Sequence, residues 1–208
     1  QLKMNTMLNQ AAREGVIKCN PYHLLSRDER IKKPTDQRDF LTREELHRLM
    51  EVETRSTTTK MAFLFSCFTG DLTQLKWGNI EKSQSGMVIR IEAMKKTEKP
   101  VTVPLGTNAM AWLPERGDKT LDDFVFDLGT CGGCNAVLKN MAKRAGINKR
   151  VSFHTGRHSF ATLTLAATND IATVSRLLGH TSVATTQIYA EVLMEDKIAA
   201  VNKLNGIF

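Results

Sequence analysis

The run TTTKMAFLFSCFTG, Thr57 to Gly70, is apolar almost all the way round when wound as a helix. A helix with one apolar stripe lies on a surface, whereas one without a polar face has to be enclosed by its neighbours. The chain is therefore predicted to fold around this segment, and its flanks must supply the enclosing layers. Its 208 residues suffice for one good-sized domain with an appendage, and 41% hydrophobic residues can fill the core. A charged fraction of 25% argues against wholesale disorder. No apolar run approaches membrane-spanning length, and no signal-peptide pattern is present.

Upstream, LKMNTMLNQAAREGVIKCNP reads as a helix, apolar at Leu2, Met4, Met7, Leu8, Ala11 and Ala12, ended near Gly15 and closed by Asn20-Pro21. SRDERIKKPTDQRD follows, charged and without a core pattern, as a linker. In LTREELHRLM, Thr42 and Glu45 stand at capping-box spacing and open another helix. The expected division is residues 1–25 as the end of a preceding domain, 26–39 as linker and 40–208 as the main domain with a C-terminal helical tail. The chain opens on Gln1 and is expected to be part of a longer polypeptide.

Downstream of the central helix the pattern changes to strands. GMVIRIEA alternates, and KPVTVPL returns after the polar turn MKKTE, which predicts a β-hairpin with lysines at its tip. FVF reads as a further short strand. The remainder is helical: GCNAVLKNMAKRAG closing on Gly146, then HTGRHSFATLTLAA. NDIATVSRLLG has Asn169 or Asp170 as cap and Gly179 as stop, and TSVATTQIYAEVLMEDKIAAVNKL follows. The predicted fold is mainly α with a small antiparallel β-sheet.

The formal net charge is +7, which favours a polyanionic partner. Between Leu128 and Asn169 there is no Asp or Glu, yet Lys139, Lys143, Arg144, Lys149, Arg150 and Arg157 fall there. A merely solvated surface mixes both signs, so the segment is expected to face phosphates. Four cysteines in a chain this long make no disulfide framework. The pair Cys131 and Cys134, in CGGC, lacks two further zinc ligands at sensible spacing and is read as a Gly-rich turn leading into a helix. No metal and no cofactor is expected.

His154 and Arg157 are three residues apart, on one helical face. Such a pair makes little sense as packing and good sense around a phosphate, where both side chains donate. His158, next to them, is read as pointing elsewhere, in a structural role. His180 follows Gly179 at a helix end, and the break there allows Tyr189 to return towards it. The residues alone leave open whether Tyr189 is a packing ring or a reactive hydroxyl.

Taken together, HTGRHSFAT, VSRLLGHTSVATTQIYAEV and MKKTEKPVTVPL resemble the catalytic domain of the tyrosine recombinases, or phage-type integrases. The resemblance runs from about Phe40 to Val192, and Leu2 to Pro21 looks like the last helix of that family's core-binding domain. It implies site-specific breakage and rejoining of duplex DNA, as in integration or excision of a mobile element or prophage. Tyr189 would attack a phosphodiester to form a 3′-phosphotyrosyl bond. Arg157, His154 and His180 would stabilise the transition state, and Lys96 would be the general acid, with Lys95 as its competitor. Lys95, Lys96, Lys139, Lys143, Arg144, Lys149 and Arg150 are the expected DNA contacts.

The resemblance further implies a synaptic tetramer on DNA from a protein monomeric in isolation, located in the cytoplasm and on the nucleoid, without membrane attachment. The alternatives are a type IB topoisomerase-like enzyme and a catalytically inactive DNA-binding regulator of the same fold. One departure stands out. In CFTGDLTQLKWG both flanks fit the family, but roughly a helical turn of residues, including an essential arginine, is expected between Gly70 and Asp71.

Overall fold

In the computed structural model, residues 2–26, 39–70, 74–92 and 100–204 are described. They belong to two compact units, Gln1–Gln37 and Arg38–Phe208. In the first, helix α1 (Leu2–Arg13) precedes a short 3-10 turn at Pro21–His23. The buried Asn20 amide donates to Asn5 and Asn9, one helical turn apart on α1, while its oxygen accepts from the Tyr22 amide. The expected linker lies largely outside the described residues.

In the second unit, α2 (Arg43–Glu51) starts on the expected capping box. Glu45 N–H donates to Thr42 Oγ1 at 3.2 Å, and Thr42 N–H donates to Glu45 Oε2 at 2.8 Å. The helix ends against the Lys60 ammonium, which donates to the carbonyls of Met50 and Val52.

Lys60 lies on α3 (Thr57–Thr69), and this helix is enclosed as its composition requires. Phe63, Leu64 and Cys67 join a cluster with Leu49, Leu138 and Met141. Ala62 and Phe65 join a second with Ile89, Val103 and Phe126. A third side meets α6 (Phe153–Thr168), where a Cβ on Gly156 would collide with the Ser66 hydroxyl, so only glycine permits this approach. Burial pushes the Cys67 thiol far up, so it stays neutral.

The sheet holds three antiparallel strands in the order β1 (Ile80–Ser83), β2 (Gly86–Ile91), β3 (Val101–Pro104). The expected hairpin is β2–β3, running from Val88 opposite Pro104 to Ile91 opposite Val101. Its tip, with Lys95 and Lys96, lies outside the described residues. Strand β1 was not legible, because IEKS is short and does not alternate. The expected FVF strand is absent. Phe124 forms a single bridge to Lys76, and the ladder stops because the chain enters a 3-10 turn at Trp77–Asn79.

A short helix, α4 (Thr107–Met110), packs on α3. Helix α5 (Cys131–Arg144) also differs from the expected turn, since CGGC forms its first turn. Thr130 accepts from the Gly133 amide, which offsets the poor helix propensity of two glycines. Asn169, left-handed at φ 53°, closes α6, and Asp170 caps α7 (Ile171–Leu177). Gly179, at φ 66°, stops α7 before α8 (Ala184–Leu204). Helices α6, α7 and α8 pack together around Phe160, Leu165, Val174, Leu178 and Tyr189.

Candidate active site

Helix α6 presents His154, Arg157 and His158 at relative positions 0, 3 and 4, which fall on one helical face. His154 is exposed and lines a groove of about 1300 Å³ whose walls also carry Lys139, Lys149 and Arg150. Arg157 is partly buried, and its guanidinium donates to the carbonyl of Leu178 at 2.7 Å. That bond ties the second turn of α6 to the C-terminal end of α7 and fixes the direction of the planar cation.

The Gly179 turn sets the position of His180. The His180 amide donates to the Ser175 carbonyl at 3.0 Å, closing α7. Its ring Nδ1 lies 2.8 Å from the hydroxyl of Thr186, a residue with no exposure at all. Sequence reasoning passed over Thr186. The signal was its spacing, since six residues across a helix break bring the first turn of α8 back over His180.

Tyr189 follows one turn further along α8 and is only 4% exposed, its ring packed among Phe160, Leu165, Val174 and Leu178. Its hydroxyl lies 2.9 Å from Nδ1 of His158, and the two rings stand 5.7 Å apart. The ring is thus a packing element, and the hydroxyl is held beside the helix that carries His154 and Arg157. His158 therefore does not point elsewhere, as its place beside Arg157 suggested, but meets Tyr189. Position 158 lies one helical turn beyond His154, so it faces the same way.

The basic residues of the acid-free segment divide into two groups. Lys139, Lys143 and Arg150 have exposed side chains. Lys149 instead donates to Glu45 at 2.6 Å and to the Phe40 carbonyl at 3.0 Å, and lies over the Phe40 ring. The Arg144 guanidinium donates to the Glu53 carbonyl, bridging α5 to the segment after α2. These two cations brace the domain internally in this structure. Lys95 and Lys96 lie outside the described residues. Among the described residues no cluster of three or more His, Cys, Asp or Glu side chains could hold a metal ion, and no helix is long and apolar enough to cross a membrane.

Residues 39–196 match the Phage integrase family. A tyrosine recombinase of Thermosipho africanus is 34% identical over 97% of this chain and 73% of its own length. Tyrosine recombinase XerD of Listeria innocua is 38% identical over 49% of this chain, which spans 39% of that relative. Among solved structures, the XerA recombinase superposes with a TM-score of 0.58 at 26% identity, over 77% of this chain and 61% of that one. A lambda integrase dimer bound to a core site superposes with a TM-score of 0.66 at 20% identity, over 89% of this chain and 69% of that one, which bears on the fold alone. The chain, mainly α with a small antiparallel sheet, belongs to the phage integrase family of tyrosine recombinases.

Proposed function

We propose that this domain breaks and rejoins duplex DNA at specific sites through a 3′-phosphotyrosyl intermediate. The observation that carries the reading is the position of the Tyr189 hydroxyl, held against α6 where His154 and Arg157 lie one turn apart. Attack by Tyr189 Oη forms the O–P bond and expels the 5′-oxygen. Negative charge builds on the non-bridging oxygens, where Arg157, His154 and His180 donate. Lys96, at the hairpin tip, supplies a proton to the leaving oxygen. The phosphotyrosyl ester keeps the bond energy for rejoining.

Duplex DNA is the proposed partner, gripped by Lys139, Lys143 and Arg150 along the groove beside His154, with Lys95 and Lys96 from the hairpin. The XerH recombinase is solved bound to its difH substrate. We assign Lys149 and Arg144 to bracing. Residues 1–25 are the end of a core-binding domain, and 26–39 are its linker. On DNA the protein forms a synaptic tetramer, a reading supported by Met194, Ile198 and Val201, exposed along one side of α8. It acts on the nucleoid in the cytoplasm.

The arginine expected after Gly70 is not there: the sequence joins Gly70 directly to Asp71, so Arg157 is the arginine proposed for the site. Gly70, at φ 86°, lies against Phe160 and Leu178, so the chain leaves α3 beside the Arg157–Leu178 bond.

A pool of nicked, randomised duplexes tests the function. Covalent protein–DNA adducts should survive denaturing electrophoresis and vanish in Tyr189→Phe, with DNA affinity retained. An adduct that persists in Tyr189→Phe points to another nucleophile, for which Tyr22 is the other tyrosine. Relaxation of supercoiled plasmid without recombination would favour the topoisomerase-like alternative, and DNA binding without any adduct the regulator.

A further inference from the structure

We infer that His158 is the group that takes the proton from Tyr189 as it attacks. The inference rests on the phosphotyrosyl reading and concerns a step that reading leaves unassigned. A phenol is a weak nucleophile near neutral pH and has to lose its proton as the O–P bond forms. Tyr189 is only 4% exposed as a residue, and its hydroxyl is held against a group of its own pocket that can accept the proton. His158 Nδ1 is in that place, 2.9 Å from the hydroxyl and within proton-transfer reach.

The other two histidines of the site are differently placed. His180 has its Nδ1 against Thr186, and His154 is exposed at the groove. Both suit donation to phosphate. The position of His158 is itself fixed: its carbonyl accepts from Thr162 within α6, and the tyrosine ring it meets is clamped between α6, α7 and α8.

The Oη–H bond breaks and an Nδ1–H bond forms, leaving His158 an imidazolium. The oxygen lone pair forms the Oη–P bond. The P–O5′ bond breaks, and the 5′-oxygen leaves with a proton from the general acid assigned to Lys96. In rejoining, the 5′-hydroxyl attacks, and His158 returns its proton to the departing Tyr189 oxygen. To accept at Nδ1, His158 has to be in the neutral tautomer with hydrogen on Nε2.

This gives a sign for the pH dependence. Cleavage slows as pH falls far enough for His158 to take up a proton before the attack. Protonating His154 or His180 strengthens donation to phosphate and acts in the opposite direction. Among the described side chains, the charged groups on α6 and on the helices packed against it are Arg157 on α6, Lys60 on α3, Arg176 on α7 and Glu191 on α8. Lys60 and Arg176 are engaged at the Met50 and Val52 carbonyls and at Thr173.

Two measurements test the assignment. Single-turnover adduct formation on the nicked duplex pool is followed against pH for the parent, Tyr189→Phe and His158→Asn, with DNA affinity and thermal midpoints recorded alongside. His158→Asn keeps a polar atom near Nδ1 but cannot hold the proton. It is expected to slow cleavage by about 10²–10⁴-fold and to lose the acid limb, with affinity and midpoint retained. A His158→Asn protein that cuts at the parent rate with the parent pH profile overturns the assignment while leaving the phosphotyrosyl reading intact. Adducts in Tyr189→Phe would defeat the reading itself. Independently of activity, imidazole nitrogen NMR on the parent chain should show His158 with hydrogen on Nε2 and an Nδ1 signal that moves in Tyr189→Phe. Hydrogen on Nδ1 in the neutral ring would overturn the proposal.

Discussion

His180 Nδ1 and the Thr186 hydroxyl lie 2.8 Å apart across the break between α7 and α8, and Thr186 is wholly enclosed. The bond orients the imidazole, because one ring nitrogen is occupied by a group that cannot move away. Thr186→Val keeps the shape and removes the partner. Cleavage should fall about fivefold, in line with the ~1 kcal/mol of one neutral hydrogen bond, while Thr186→Ser stays near the parent. Equal rates for Val and Ser would mean that packing alone holds His180.

The contact between Gly156 and Ser66 makes a second expectation. Gly156→Ala forces a methyl onto the Ser66 hydroxyl and should destabilise the domain by about 1–3 kcal/mol. Ser66→Ala should recover part of that loss in the double variant, since the two changes share one space. Denaturant titration of the four proteins measures the coupling. Strict additivity would place the strain elsewhere.

Lys149 and Lys139 should separate by phenotype. Lys149→Met breaks the bonds to Glu45 and the Phe40 carbonyl and should cost about 1–3 kcal/mol of stability, with the salt dependence of DNA binding unchanged. Lys139→Gln and Arg150→Gln should each flatten the log–log salt slope by about 1 and leave stability intact. The reverse pattern would exchange their roles.

Asp170 links the helix cap of α7 to pH. Its carboxyl accepts from the hydroxyl and amide of Thr173 and the amide of Ala172, and these bonds hold it below the ordinary carboxylate range. A depressed folded-state pKa contributes stability above the unfolded value, and the contribution is lost as pH falls through the folded one. Thermal midpoints of the parent should therefore decline in acid by a shallow extra slope, since the residue is exposed. Asp170→Asn, which still caps, should lack that slope. Identical acid profiles would deny the cap any titrating role.

What the sequence revealed was local. The Thr42–Glu45 box, the enclosure of α3 and the stop at Gly179 each follow from residues within a turn or two of one another. Lys149 shows the limit, because its partner Glu45 lies 104 positions away and nothing in either neighbourhood announces the other. IEKS became a strand only because β2 offered it an edge, from Ile80 opposite Ile89 to Ser83 opposite Gly86. CGGC became a helix turn because Thr130 satisfies the Gly133 amide. His158 was within reach of sequence reasoning: one helical turn from His154 is the same face, and the adjacency to Arg157 obscured it.

The enclosure of α3 on three sides also limits how this protein can vary. From Thr59 to Gly70 no position is exposed, so the helix offers no outward row where substitutions could accumulate harmlessly. A change of length is worse than a change of residue. One residue added or lost early in the helix turns everything beyond it by about 100°. An insertion would bring Phe65, and a deletion Cys67, to the place where Ser66 meets Gly156. Lineages descending from this chain should therefore keep the length of that segment even where they discard its letters.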